Sequence, residues 1–247
     1  VGSPKITASY KRGGKRFKIK VKTGPEVHSD IASSLLAELI GLNQDRMLYQ
    51  KSIKIYLGKS SYAKFASEFI SKYSHADLTR FITAHGREGK EDWIVLRDSI
   101  FEARPSDELR ISPINIDNWD LPNRREYRGL ILLFAWLGIG DTKISNYKVI
   151  FKRNKEGVLF PLHRMQDMGY SLGAGLYVRK LKQAFHTPSK YKINEFETNI
   201  VERKDRNGKN RIHVWWNDFH NRRRKFKHST WSDLKWMARK IAAIRDE

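Results

Sequence analysis

The chain opens on an alternation of apolar and basic positions. In residues 15–22, Phe17, Ile19 and Val21 fall on one face of an extended strand and Lys18, Lys20 and Lys22 on the other. Residues 5–12 form a similar run, and the Gly13-Gly14 pair between them is a hairpin signal. The pattern therefore predicts a β-hairpin, closed by Thr23-Gly24-Pro25. The period then lengthens. Ile31, Leu35, Leu36, Leu39 and Ile40 recur at helical spacing, with Ser29 in a capping position and Gly41 where a helix stops. Residues 52–57 and 93–101 read as strands. Residues 60–85 read as helical, with Phe65, Phe69, Leu78, Phe81 and Ile82 turned inward.

Residues 103–122 contain three prolines and many polar residues, and are expected to connect two lobes. After them Pro122-Asn123 opens a long helix reaching Leu137, whose buried face is Tyr127, Leu130, Ile131, Phe134 and Leu137. Two strands, residues 147–151 and 159–165, flank a turn at 154–157. Residues 211–216 form a strand after a polar turn at 204–209, and residues 232–245 an amphipathic basic helix. This order predicts an α+β chain of two lobes with a cleft between them. The expected division is a small β-rich N-lobe over residues 1–103 and a larger helical C-lobe over 104–247.

Composition narrows the classes. A hydrophobic share of 40% and seven tryptophans fit a packed globule and not a disordered tail. The longest apolar run, residues 130–139, falls short of the roughly 20 residues a membrane helix needs, so no transmembrane segment is expected. The absence of cysteine excludes disulfides, thiolate metal sites and cysteine nucleophiles. The chain begins at Val1 without Met, so a processed or trimmed N-terminus is expected. The cytoplasm and export with a removed N-terminal segment both stay open.

Charge adds a partner class. Lys and Arg number 48 against 27 acids, a formal charge of +21. The basic residues concentrate in the first 22 positions and in Arg222-Arg223-Arg224-Lys225-Phe226-Lys227. Such a balance favours a polyanion (nucleic acid, an acidic membrane surface, a phosphorylated ligand or an acidic protein), set against a merely solvated basic surface. Trp215-Trp216, Phe219 and Phe226 interleave with Arg211, His213 and His220, and aromatics among cations can stack bases. Strand alternation nevertheless turns one of the adjacent tryptophans inward.

The candidate chemistry follows the long helix. It runs into Gly138-Ile139-Gly140-Asp141-Thr142-Lys143-Ile144-Ser145-Asn146, which contains D-x-K-x-x-N. The hairpin after it ends in Gln166-Asp167-Met168-Gly169, a D-x-G. Phosphoryl transfer from ATP requires these parts: a carboxylate to accept or orient the incoming hydroxyl (Asp141) and a cation to offset charge on the moving group (Lys143). It also needs oxygen ligands to hold Mg²⁺ against the phosphates (Asn146 and Asp167). Each motif alone is common, but the two occur in order across a predicted hairpin, 21 residues apart. A nucleotide clamp further needs a strand lysine and an acid on the next helix. Lys20 and Lys22 share the strand's polar face, Asp30 lies in the helix's first turn, and the expected pair is Lys20 with Asp30.

These segments carry a resemblance. Ser29-Asp30, followed by Leu35-Leu36-Ala37-Glu38-Leu39-Ile40-Gly41-Leu42, resembles the N-lobe signature of HipA-type kinases, and the Asp141–Asn146 spacing is similar to theirs. Residues 122–130, Ala135-Trp136-Leu137, Asp167-Met168-Gly169-Tyr170-Ser171-Leu172-Gly173 and residues 231–241 resemble a group of atypical bacterial kinase-like proteins. The resemblance implies a bilobal protein-kinase-like fold with ATP and Mg²⁺ as cofactors. Other signals fall away. Gly58-Lys59-Ser60 lacks the P-loop's first glycine, since Ile53 stands there. The eight histidines show no helical H-x-x-x-H, and there is no G-x-S-x-G.

The expected function is a kinase-like phosphotransferase whose acceptor (protein, lipid or small molecule) the sequence does not specify. The alternatives are a pseudokinase, or a basic polyanion- or nucleic-acid-binding module without catalysis.

Overall fold

A computed structural model describes residues 4–24, 26–103, 108–111, 123–139, 146–169, 171–172, 198–216, 219–220 and 228–244. The chain is mixed α+β and divides into two compact units. Unit 1 comprises residues 1–31 and 45–108, and unit 2 residues 32–44 and 109–247. The split expected at residue 103 thus falls at 108. Residues 32–44, expected to belong with the N-terminal strands, belong with the C-terminal part. Among the described residues no helix is long and apolar enough to cross a membrane.

Unit 1 is built on an antiparallel sheet. The predicted hairpin forms as β1 (Lys5–Arg12) and β2 (Lys15–Thr23), with Gly13 and Gly14 both at positive φ, the conformation such a two-residue turn demands. Three further strands complete it: β4 (Met47–Tyr56), β5 (Ile82–Glu88) and β6 (Glu91–Ala103), the sheet order being β1-β2-β6-β4 with β5 also on β6. The length of β6 explains this. Its residues 99–103 pair with β2 and its residues 91–96 with β5, while β4 runs along the other side. Val21, Ile94 and Leu96 pack with Phe69 and Leu78 from two helices, α2 (Tyr62–Lys72) and α3 (His75–Phe81).

The single helical stretch expected over 60–85 is therefore two helices and the start of a strand. Ser74 breaks it. Its hydroxyl accepts the Asp77 backbone N–H at 3.1 Å and donates to the Asp77 carboxylate at 2.9 Å, capping α3 afresh.

Helix α1 (Val27–Leu39) begins in unit 1 and ends in unit 2. It starts two residues before the expected cap, and Ser29 lies inside it, donating to the Glu26 carbonyl at 3.1 Å. Unit 2 is organised around α4 (Arg125–Leu137), which buries the predicted Tyr127, Leu130, Ile131, Phe134 and Leu137, and Leu133 besides. Gly138 closes α4 at φ 64, a left-handed cap that glycine adopts without strain.

Ala37 and Ile40 pack into this core, as do Ile212 and Val214 of β11 (Asn210–Trp216) and Leu234 and Met237 of α5 (Trp231–Ala242). The shared core explains why residues 32–44 count with unit 2. A four-stranded sheet joins β3 (Asn43–Gln44), β9 (Leu159–Met165), β8 (Tyr147–Arg153) and β7 (Leu109–Ile111) in that order. Strand β7 lies within the stretch expected to be a plain connector, of which residues 104–107 and 112–122 lie outside the described residues. A second sheet joins β10 (Thr198–Lys204), β11 and β12 (Phe219–His220), so the described part of unit 2 is as much sheet as helix. The basic run at 222–227 lies outside the described residues.

Candidate functional site

In unit 1 the alternation of β2 decides which side chains are available. Val21 enters the apolar core, which places Lys20 and Lys22 on the opposite face. Their cross-strand partners on β6 differ. Lys20 stands opposite Glu102, and the two form an ion pair at 3.4 Å. Lys22 stands opposite Ile100, which offers no counter-charge.

The Lys22 ammonium instead meets the start of α1, donating to Asp30 Oδ2 at 2.7 Å and lying 3.1 Å from Glu26 Oε2. Both side chains of the Lys22–Asp30 pair are fully buried. The ion pair expected between Lys20 and Asp30 is thus made by Lys22 and Asp30, because sheet register sets Lys20 opposite Glu102. Glu26 was not singled out from the sequence. Its signal was an acid four residues after Lys22 and immediately before a helix, where a negative charge also suits the helix dipole.

In unit 2 the β8–β9 register positions Asn146 and the chain around Asp167. Tyr147 pairs with Met165, and one step outward the Gln166 N–H donates to the Asn146 carbonyl at 3.0 Å. Asn146 is buried, and with Asp167 it flanks the open end of this hairpin. Asp167 has φ 60, a left-handed conformation uncommon outside glycine but better tolerated by Asp and Asn than by most residues.

The chain beyond it is held on both sides. Met168 is buried, the Ser171 hydroxyl lies 2.7 Å from that of Ser33 on α1, and the Leu172 N–H donates to the Leu137 carbonyl at 2.7 Å. These anchors fix where Asp167 sits. Asp141 and Lys143, the predicted catalytic residues, lie outside the described residues.

The donor set at the hairpin base suits a hard cation. The Asp167 carboxylate and the Asn146 amide oxygen, on residues that flank the open end of the hairpin, are oxygen ligands of the kind Mg²⁺ takes together with substrate phosphates and water. Among the described residues no group of three or more His, Asp or Glu side chains is arranged to hold a metal ion.

No protein-family model matches the sequence, and neither a curated protein nor a solved structure matches it.

Proposed function

We propose that this protein is a kinase-like phosphotransferase, bilobal in the protein-kinase manner, that uses ATP and Mg²⁺. The observation that carries the reading is the buried Lys22–Asp30 pair at 2.7 Å between a strand and the helix that follows it. Desolvating an ammonium and a carboxylate costs several kcal/mol each, and apolar side chains of similar size often serve stability as well or better. A buried pair kept at that cost suits a charge that a ligand needs. The positive-φ Asp167 beside Asn146 is the second support, since backbone strain of this sort clusters at ligand sites.

In this reading Lys22, oriented by Asp30, holds the nucleotide phosphates. Glu26, the more distant carboxylate, is the one a phosphate oxygen displaces. Lys20 is a structural partner of Glu102. Asn146 and Asp167 would hold Mg²⁺, which would supply positive charge to offset that of the nucleotide phosphates. Asp141 accepts the proton of the incoming hydroxyl as its oxygen bonds the γ-phosphorus and the bond to the ADP oxygen breaks. Lys143 offsets the negative charge on the transferring oxygens.

The test is a thermal shift. ATP with Mg²⁺ should raise the melting temperature of the parent chain and leave Asp167→Ala unmoved, while Asp141→Ala keeps the shift and loses phosphoryl transfer. No shift, together with no transfer to any acceptor including the protein itself, would sink the reading. The charge of +21 favours one other reading, a polyanion-binding module without turnover. Its mark is nucleic-acid affinity that falls steeply with salt and is indifferent to Asp167→Ala.

A further inference from the structure

The β1–β2 hairpin of unit 1 is longer than the sheet that carries it. Strand β6 pairs with β2 only over residues 19–23. Among the described residues, 9–12 and 15–18 therefore form a ladder two strands wide. The turn at its end stands in open space. Gly13 and Gly14 are exposed, and a Cβ added to either would meet no atom within 4 Å. At about 3.3 Å per residue, the four paired positions carry this turn roughly 13 Å past the last contact with β6.

The ribbon is basic in its register as well as its composition. Lys11, Arg12, Lys15, Arg16 and Lys18 fall within it, and the chain has no acid before Glu26. Arg12 stands opposite Lys15, and Lys11 opposite Arg16. Like charges directly across a ladder cost stability, so the fold alone gains nothing from these pairs. Tyr10 opposite Phe17 supplies an aromatic pair of the kind that steadies a ladder. Alternation places Arg12 and Lys15 on one face of the ribbon, and Lys11 and Arg16 on the other with the exposed Lys18.

These dimensions and charges fit one polyanion better than the rest. The major groove of B-form DNA, about 12 Å wide and 8.5 Å deep, admits a two-stranded ribbon. Two strands lie about 4.8 Å apart, and a reach of roughly 13 Å exceeds the groove's depth. Cations on both faces suit an arm held between two walls of phosphate, whereas a flat acidic surface is served by cations on one face. The major groove of A-form RNA is too deep and narrow for such entry.

We infer that the β1–β2 ribbon is a DNA-binding arm that enters the major groove of a B-form duplex, with Lys11, Arg12, Lys15 and Arg16 serving the phosphates on either side. The inference rests on the polyanion-binding reading, to which it gives a site and a partner, and is independent of phosphotransfer.

The test is fluorescence anisotropy of a labelled DNA duplex about two helical turns long, titrated with the full chain at several salt concentrations. The parent should bind with an affinity that falls steeply as salt rises. The combined change Lys11→Gln, Arg12→Gln, Lys15→Gln and Arg16→Gln should weaken binding at least about tenfold. It should also flatten the logarithmic salt dependence by on the order of three, since each phosphate contact contributes about 0.9. A second variant, Lys59→Gln, Lys64→Gln, Lys90→Gln and Lys155→Gln, removes the same charge from exposed positions elsewhere and should cost less than about threefold. The ribbon variant should melt no lower than the parent, because the opposed like charges are gone. An RNA duplex of equal length should bind the parent more weakly than the DNA.

Equal loss of affinity in the two variants would overturn the inference, since net charge and not the ribbon would then carry binding. Equal affinity for the RNA duplex would overturn it as well, because the groove would not be what is recognised. So would binding of phosphatidylserine vesicles that depends on the ribbon while DNA binding does not. A ribbon variant that melts below the parent would show those charges engaged within the fold. A parent that binds no DNA at any salt sinks the polyanion reading along with the inference, whereas DNA binding that ignores the ribbon variant sinks the inference alone.

Discussion

Lys20 and Lys22 differ by one step along the same strand face, and their partners differ in kind. Lys20 is a quarter exposed and meets a carboxylate directly across the sheet, whereas Lys22 is wholly enclosed between two acids at a helix start. Removing one member of a buried pair strands the other, so Lys22→Met should cost about 3–5 kcal/mol. Lys20→Met, with more solvent at hand, should cost about 1–2 kcal/mol. Urea unfolding of the two variants measures the contrast, and equal costs would contradict the assignment. Asp167 gives a test with opposite signs. Relieving its left-handed backbone should make Asp167→Gly neutral or up to about 1 kcal/mol more stable. The same change removes a carboxylate from the hairpin base and should erase the response to ATP with Mg²⁺. Loss of stability with that response intact would mark Asp167 as an ordinary turn residue. Alternation along β2 was enough to put the two lysines on one face. It could not say which of them meets Asp30, because Glu102, which takes Lys20, arrives through a pairing some eighty residues away.

Helices α4 and α5 meet where Gly129 leaves no room. A Cβ built there would lie 3.3 Å from the Asp233 carbonyl, from Met237 Cβ and from the Trp236 ring. Gly129→Leu should therefore force the helices apart and cost about 1–3 kcal/mol by thermal or denaturant unfolding. The same contact is tied ionically. Arg128 donates to both Asp233 oxygens, at 2.7 and 2.9 Å, while Asp233 also closes the capping box with Thr230. Burial alone would raise the Asp233 carboxyl, but the hydrogen bonds from Arg128 and Thr230 outweigh it and hold the group below its ordinary value. A depressed acid lends stability that is fully present above its unfolded value, near 3.9, and is lost as pH falls through the folded one. Asp233→Asn should thus lie about 2–3 kcal/mol below the parent at pH 7. The gap should start to narrow as pH falls below roughly 4 and close only beneath the depressed folded value, where the parent's own carboxyl protonates. A gap that persists at pH 2 would locate the effect in packing. Elements with one strong period, β2 and α4, were legible in advance. The break between α2 and α3 was not, because the apolar spacing continues across Tyr73 and Ser74 and only the Ser74–Asp77 cap interrupts it.

At the scale of the whole molecule the chain does not divide at a single point. It passes from unit 1 to unit 2 within α1, returns after β3, and passes again after residue 108. Composition suggested a clean division at the proline-rich stretch, since that is where turn signals concentrate. Nothing in composition reveals that a helix begins within one unit and that Ala37 and Ile40, at its far end, pack into the core of the other. The consequence is measurable. Cutting at 103, as the sequence pattern invites, would remove from unit 2 the buried Ala37 and Ile40 and the β3 strand that pairs parallel to β9. Loss of one large buried aliphatic side chain costs about 2–5 kcal/mol. Stabilities of whole domains are about 5–15 kcal/mol, so losing Ile40 together with its neighbours and a strand removes much of that margin. A fragment of residues 104–247 should consequently show no cooperative melt by far-UV circular dichroism. Joining residues 27–44 ahead of it through a flexible linker should restore a sigmoidal transition, because that segment supplies the missing core face and edge strand. The same linker joined to residues 27–44 carrying Ile40→Asp should not. A cooperative melt of 104–247 unaided would show that the end of α1 decorates unit 2 instead of completing its core.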